Sequence, residues 1–199
     1  MATPKIITFL LIISIIYFAG KVESASRTRS SATNFIKDQC STTQYPAQCV
    51  QSLSVYASVI QQSPRKLAET ALSVSLARAQ SAKVFVSKMG KFRGLKSREY
   101  KAIGDCIEEM GDSIDRLSKS IREMKRVGNG KGRELQWHIS NVQTWVSAAA
   151  LTDENTCIDG FAGRALDGKI KSSVRARVVN VAQVTSNGLA LVNRFASKL

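Results

Sequence analysis

The segment YKAIGDCIEEMGDSIDRLSKSIREM, residues 100–124, places its large apolar side chains at alternating spacings of three and four residues. In an α-helix this spacing forms one apolar stripe, and the charged residues of the segment lie on the opposite side. The segment therefore predicts a long amphipathic helix that must bury its stripe against neighbouring helices. The members of the stripe are Tyr100, Ile103, Ile107, Met110, Ile114, Leu117, Ile121 and Met124.

Three more helical segments flank this one along the chain. No proline follows Pro64, and the remaining sequence is rich in residues that favour helices. The glycine-rich residues 128–130 predict the end of the central helix. The same periodicity of apolar residues predicts the other three helices over about 64–89, 135–149 and 174–195.

The order of these helices predicts the architecture of the domain. Short polar connections favour antiparallel neighbours, so we expect an all-α, up-down-up-down four-helix bundle over residues 64–198. Residues 33–62 predict two shorter helical pieces that form an N-terminal hairpin. Together these parts make one domain, which we place at residues 25–199.

The N-terminal residues have the order of a secretory signal peptide. Lys5 precedes an almost unbroken apolar run over residues 6–20, and small residues follow at Ser24 and Ala25. The run is shorter than the ~20 residues of a membrane-spanning helix, which is the alternative interpretation. We therefore predict a signal peptide at residues 1–24, a secreted protein, and no membrane attachment after cleavage.

Four cysteines follow the predicted signal peptide: Cys40, Cys49, Cys106 and Cys157. An even number of cysteines in a secreted chain indicates two disulfide bonds, although four cysteines permit three pairings. The spacing favours Cys40 with Cys49 across a Tyr-Pro turn, and Cys106 with Cys157 between two predicted helices. Zinc binding is disfavoured because the sequence has no C-x-x-C cluster and one histidine, so we expect no metal.

The net charge of the chain predicts attraction to polyanions. It is +14 for the full sequence, and loss of Lys5, Lys21 and Glu23 with the signal peptide leaves +13. The basic residues are dispersed and aromatic residues are sparse, so nucleic acid is not the expected partner. For a secreted protein, acidic polysaccharide or an anionic membrane surface is the expected polyanion.

Signatures of catalysis are absent from the sequence. His138 is the only histidine, and we expect it to be a packed structural residue rather than a general base. The chain has no G-x-S-x-G motif and no phosphate-binding loop. Asp153, Glu154 and Asp159 lie close in sequence but lack the EF-hand pattern. We therefore expect a protein that is not an enzyme and needs no cofactor.

Residues 143–161, QTWVSAAALTDENTCIDGF, resemble the signature of the plant invertase/pectin methylesterase inhibitor family. The first two cysteines around a Tyr-Pro turn, and the segments 102–106 and 111–117, are also similar to that family. The resemblance covers about residues 32–198. It implies a four-helix bundle with an N-terminal helical hairpin and two disulfide bonds in the pairing that the spacing favours.

The resemblance also implies a function, which is inhibition of another protein. Members inhibit either pectin methylesterase, by covering its active-site cleft in a one-to-one complex, or cell-wall or vacuolar invertase. The Pro-Lys-Phe element of the invertase inhibitors is absent here, which favours the pectin methylesterase branch and leaves invertase as the alternative. The implied location is the apoplast and cell wall, where the basic surface could also bind acidic pectin.

Four residues match the positions through which family members contact the esterase. The resemblance places Asp112 and Asp115 on the second bundle helix, and Thr156 and Asp159 near the second disulfide bond. The alternative for the first two is purely local, because each could pair with the basic residue four positions later.

Two other classes of protein are compatible with parts of the sequence. A basic helical protein that binds anionic membranes would need no enzyme partner. Family domains also precede some esterases as a pro-region, but no catalytic domain follows Leu199 in this sequence, which favours a free inhibitor.

One departure from the family pattern concerns the alanines between Ser147 and Leu151. The family has two alanines there, whereas this chain has three. One additional residue rotates the following part of a helix by about 100°. We therefore expect an altered relation between Trp145 and Cys157 unless a π-bulge absorbs the insertion.

Overall fold

The computed structural model describes residues 29–127, 131–159 and 168–199, and only the backbone at residues 151–156 and 169. Throughout these ranges the regular structure is helical, which confirms the predicted all-α class. A short 3₁₀ helix, Ser54–Tyr56, lies between the second and third α-helices. The α-helices are α1 (29–40), α2 (Pro46–Leu53), α3 (Ala57–Ile60), α4 (Pro64–Met89), α5 (Ser97–Val127), α6 (Gly132–Asp159) and α7 (Lys169–Ala196).

The four long helices form the predicted up-down-up-down bundle. Each of them packs against two others in cyclic order, α4 on α5, α5 on α6, α6 on α7 and α7 on α4. Met110, Leu117 and Val178 lie in a fully buried central cluster, and Met124 and Val142 belong to a second cluster towards the end of α5. Burial of these apolar stripes stabilises the long helices, whose isolated propensity would be insufficient.

The central helix α5 follows the sequence pattern closely. It ends at Val127, directly before the glycine-rich residues 128–130, which themselves lie outside the described residues. Ile103 and the stripe members after it are buried or half-buried. Tyr100 is the exception, because it lies in the first turn at the end of the bundle and is 66% exposed. The buried stripe therefore begins at Ile103 and not at Tyr100.

The N-terminal helices α1–α3 pack against α4 and α7 through a third apolar cluster. The Cys40–Cys49 disulfide bond holds α1 to α2 on either side of the Tyr-Pro turn. The buried side chain of Asn187 on α7 fastens this turn, because its Oδ1 accepts a hydrogen bond from the Tyr45 N–H at 3.0 Å and its Nδ2 donates to the Tyr45 carbonyl at 2.9 Å. The amide thus gives the Tyr45 N–H its partner, and it adds to the bond that the Tyr45 carbonyl already accepts from the Cys49 N–H at 2.9 Å.

The second disulfide bond, Cys106–Cys157, joins α5 to α6 with 4.3 Å between the two Cα atoms. The structure therefore contains both bonds of the pairing that the spacing favoured. Helix α6 is α-helical through residues 148–150, with Ala149 buried in the central cluster. The additional alanine is thus accommodated without a π-bulge in the described helix, and Cys157 still reaches its partner.

The predicted signal peptide, residues 1–24, lies outside the described residues. Of the helices that the structure does describe, none is long and apolar enough to span a bilayer.

Candidate partner-binding surface

The outer face of α5 carries a stripe of carboxylates. Asp105, Glu108, Asp112 and Asp115 are all exposed, and their spacing of three and four residues places them on one side of the helix. We call these four residues the acidic stripe. The family resemblance pointed to the last two only. Asp105 and Glu108 could also have been found from the sequence, because they continue the same spacing of three and four residues towards the start of the helix.

Pairing with the basic residue four positions later, the alternative role for Asp112 and Asp115, accounts for little of the acidic stripe. Asp112 Oδ2 lies 3.8 Å from the Arg116 guanidinium, and the Asp112 side chain remains 61% exposed. Such a long, exposed pair contributes little to stability. Among the described residues Asp115 forms no ion pair, so the local partner Lys119 that the spacing offered is not engaged by it. Both carboxylates are therefore available to a partner.

The Cys106–Cys157 bond sets the position of the other two candidate residues relative to the acidic stripe. It brings the last turn of α6 beside the part of α5 that contains Asp105. Asp159, two residues after Cys157, is exposed there. The side chain of Thr156 lies outside the described residues, although its backbone is part of α6. The sequence-predicted residues thus belong to two adjacent helices joined by one covalent bond.

His138 lies in a separate, buried cluster between α5 and α6. Its Nδ1 is 2.7 Å from Glu123 Oε1, and Asn141 Nδ2 donates to the same oxygen at 3.1 Å. Arg126 Nη1 donates to the other oxygen of Glu123 at 3.1 Å. The cluster is a structural link between the two helices, and no local pattern in the sequence indicated that Glu123 would be buried.

The pKa of Glu123 reflects two opposing effects. Burial of its carboxyl group raises the pKa, whereas the hydrogen bonds from His138 and Asn141 and the nearby charges of His138 and Arg126 lower it, and the net pKa lies below the usual 4.5. The carboxylate is therefore the form that this site holds. No group of three or more His, Cys, Asp or Glu side chains within the described ranges is close enough to share a metal ion.

A comparison with protein-family models adds to this geometry. Residues 34–191 match the model described as plant invertase/pectin methylesterase inhibitor. The chain belongs to this family. Membership fits the bundle, the hairpin and the two disulfide bonds, and the family description names an inhibitor rather than a catalyst.

Similar proteins of this family extend over almost the whole chain. A 21 kDa protein from Daucus carota is 56% identical over 185 residues, which cover 93% of this chain and 95% of the carrot protein. Pectinesterase inhibitor 11 from Arabidopsis thaliana is 54% identical over 191 residues, with 96% and 94% covered. Pectinesterase inhibitor 9 from the same plant is 52% identical over 194 residues, with 96% and 95% covered.

Solved structures of the family have the same fold. A mutant form of a pectin methylesterase inhibitor from Arabidopsis superimposes with a TM-score of 0.61 at 21% identity, covering 77% of this chain and 92% of that one. A pectin methylesterase inhibitor from Arabidopsis thaliana gives a TM-score of 0.55 at 21% identity, with 79% and 93% covered. At this identity the likeness concerns the fold alone.

Proposed function

We propose that this protein inhibits a plant pectin methylesterase by covering its active-site cleft in a one-to-one complex, and so limits the removal of methyl esters from cell-wall pectin. The observation that carries this proposal is the similarity to two pectinesterase inhibitors, each more than half identical over nearly the full length of both chains. Their names favour an esterase over an invertase as the target, and the Pro-Lys-Phe element is absent from this sequence.

The described surface suggests how such a complex would form. The acidic stripe and Asp159 present carboxylates on two helices that the Cys106–Cys157 bond holds together. A surface that is rigid before binding loses less conformational entropy in the complex. Carboxylates that meet basic groups of the enzyme would accelerate association and make it sensitive to salt. In this proposal Asp112, Asp115, Thr156 and Asp159 contact the esterase.

A paired titration tests the proposal directly. The oxidised mature protein would be added to a plant pectin methylesterase and, separately, to a cell-wall invertase at mildly acidic pH. We expect esterase activity to fall linearly to an equivalence point at equal concentrations, with invertase activity unchanged. If only invertase activity is lost, invertase is the target. If both enzymes remain active at excess inhibitor, the proposal is rejected for those enzymes.

Neutralising two carboxylates of the acidic stripe should weaken esterase inhibition. We expect Asp112→Asn/Asp115→Asn to raise the inhibition constant about tenfold, since each charged contact at an interface contributes on the order of 0.7 kcal/mol or more. A matched control, Asp38→Asn/Glu134→Gln, removes two exposed carboxylates elsewhere and should change the constant less than about twofold. Equal effects of the two double variants would place the enzyme contact outside the acidic stripe.

We further propose that residues 1–24 are removed during secretion and that the mature protein resides in the cell wall. N-terminal sequencing of the protein from a plant secretory host should begin at or next to Ala25. The high positive charge also supports association with acidic pectin in the wall.

A further inference from the structure

One end of the bundle carries an unusual concentration of positive charge. Between residues 88 and 101 the sequence has six basic residues and one acidic residue, Glu99. This segment contains the connection from α4 to α5 and the first turn of α5. We define the basic end by seven exposed cations on this segment and on α7: Lys88, Lys91, Arg93, Arg98, Lys101, Arg175 and Arg177.

The fold brings these two segments together although more than 70 residues separate them in sequence. Met89 at the end of α4 and Leu95 in the α4–α5 connection pack on the same central cluster as Ile170 at the start of α7. The Arg177 guanidinium lies 4.8 Å from the centre of the Phe85 ring on α4. The antiparallel order of the helices therefore places the start of α7 beside the end of α4, and their charges combine on one surface.

In the part of the chain that the structure describes, the seven cations of the basic end have no carboxylate partner. Within the described ranges none of the seven forms an ion pair, and the nearby Glu99 carboxylate accepts a hydrogen bond from the Lys96 backbone N–H at 2.9 Å. The opposite end of the bundle is different, because several of its arginines are paired. These pairs are Arg65–Glu69 at 2.8 Å, Arg126–Glu123 at 3.1 Å and Arg194–Asp38 at 3.5 Å.

Two exposed aromatic rings lie among these cations. Phe92, between Lys91 and Arg93, is 56% exposed, and Tyr100 is 66% exposed. Large exposed aromatic side chains next to charged groups are typical of binding surfaces. A uronic acid unit of a polysaccharide matches this combination, since it offers a carboxylate to a cation and the C–H face of its ring to an aromatic side chain.

We propose that the basic end binds de-esterified stretches of pectin, which are runs of galacturonate carboxylates. The identity of the polymer rests on the proposed function: a pectin methylesterase converts neutral methyl esters into carboxylates, so the polymer gains negative charge where the enzyme has acted. The cations attract these carboxylates by electrostatic complementarity. The acidic stripe then serves the enzyme and the basic end serves the product, which concentrates the inhibitor where de-esterification has occurred.

The test compares binding of the oxidised mature protein to polygalacturonate and to highly methyl-esterified pectin of the same length. We expect binding to polygalacturonate to be at least about tenfold tighter at about 50 mM NaCl and to weaken strongly at about 300 mM, because salt screens exposed charges. The variant Lys91→Gln/Arg93→Gln/Arg98→Gln should bind polygalacturonate about tenfold more weakly, since each exposed pair contributes about two- to threefold.

The matched control is Arg122→Gln/Lys131→Gln/Arg133→Gln, which removes the same charge from exposed residues at the opposite end. It should weaken binding less than about threefold. Phe92→Ala should weaken binding to polygalacturonate but leave binding to poly-glutamate unchanged, because the latter has no sugar ring. Circular dichroism would establish that all variants are folded.

Three results would overturn the inference. The first is an equal loss of binding in both triple variants, which would indicate attraction by net charge without a site. The second is equal binding to esterified and de-esterified polymer. The third is binding to vesicles of phosphatidylserine and phosphatidylcholine without binding to polygalacturonate, which would assign the surface to membranes.

The initial rate of the esterase on highly methyl-esterified pectin, measured with and without the inhibitor at about 50 mM NaCl, separates this inference from the proposed function. A triple variant at the basic end that inhibits fully but no longer binds polygalacturonate supports two distinct surfaces. A wild-type protein that binds polygalacturonate through these residues but does not inhibit the esterase supports the polymer site and rejects the proposed function.

Discussion

Replacing Cys106 and Cys157 together with alanine should lower the free energy of unfolding by about 4 kcal/mol. The bond joins α5 to α6 across a sequence separation of 51 residues, and its loss lets the unfolded chain occupy many more conformations. For a domain of this size, that change corresponds to a fall in melting temperature of about 10 °C. Thermal unfolding followed by circular dichroism would measure it.

The bond in the hairpin provides the matched control. Cys40 and Cys49 are also fully buried, so their replacement by alanine leaves cavities of similar size, but their separation is 9 residues. The expected loss is about 2.5 kcal/mol. A melting temperature that falls equally in both double variants would contradict the loop-length argument. The single variant Cys157→Ser should in addition leave one free thiol, that of Cys106.

The two variants should also differ in function if the proposed complex is correct. The Cys106–Cys157 bond positions the end of α6 beside the acidic stripe, whereas the Cys40–Cys49 bond lies in the N-terminal hairpin. At a temperature where both variants are folded, we expect the first to inhibit the esterase more weakly than the second. Identical inhibition constants would mean that the covalent link contributes to stability alone.

Replacing Glu123 with alanine should destabilise the protein by about 3 kcal/mol. The substitution removes the acceptor for the Asn141 amide and the partner of the buried His138 ring. Both polar groups then lie between α5 and α6 without the Glu123 carboxylate as their partner. Glu123→Gln keeps one acceptor oxygen and should cost roughly half as much. The control Glu108→Ala, at an exposed carboxylate of α5 outside this cluster, should stay within about 0.5 kcal/mol of the wild type.

The same carboxylate should make stability depend on pH. The pKa of Glu123 is lowered in the folded protein, so the folded state binds its proton less tightly than the unfolded state does. Its contribution is therefore complete above the usual pKa of 4.5 and is lost as the pH falls through the folded pKa. Urea unfolding between about pH 6 and pH 3 should show a shallower loss in Glu123→Gln than in the wild type. An equal loss of stability between these pH values in Glu123→Gln and in the wild type would contradict the role of Glu123 in the pH dependence.

The sequence by itself determined the helices, their order and the family. Apolar spacing is a local property, because the residues that line one face of a helix lie three and four positions apart, and the chain needs no tertiary contact to display it. This is why α5 could be predicted to end before residues 128–130. Short connections then favour antiparallel packing, and the cysteine spacing favoured the disulfide pairing that the structure contains.

The tertiary structure decided which polar and aromatic residues meet. The sequence pattern included Tyr100 in the buried stripe, but the end of the bundle leaves it exposed. The partners Asn187 and Tyr45 are separated by 142 residues, so no local rule could pair them. The burial of Glu123 and the convergence of α4 and α7 cations at the basic end likewise depend on which helices become neighbours. The physical reason is that periodicity specifies the face a helix buries, whereas the packing of whole helices specifies what that face and its ends encounter.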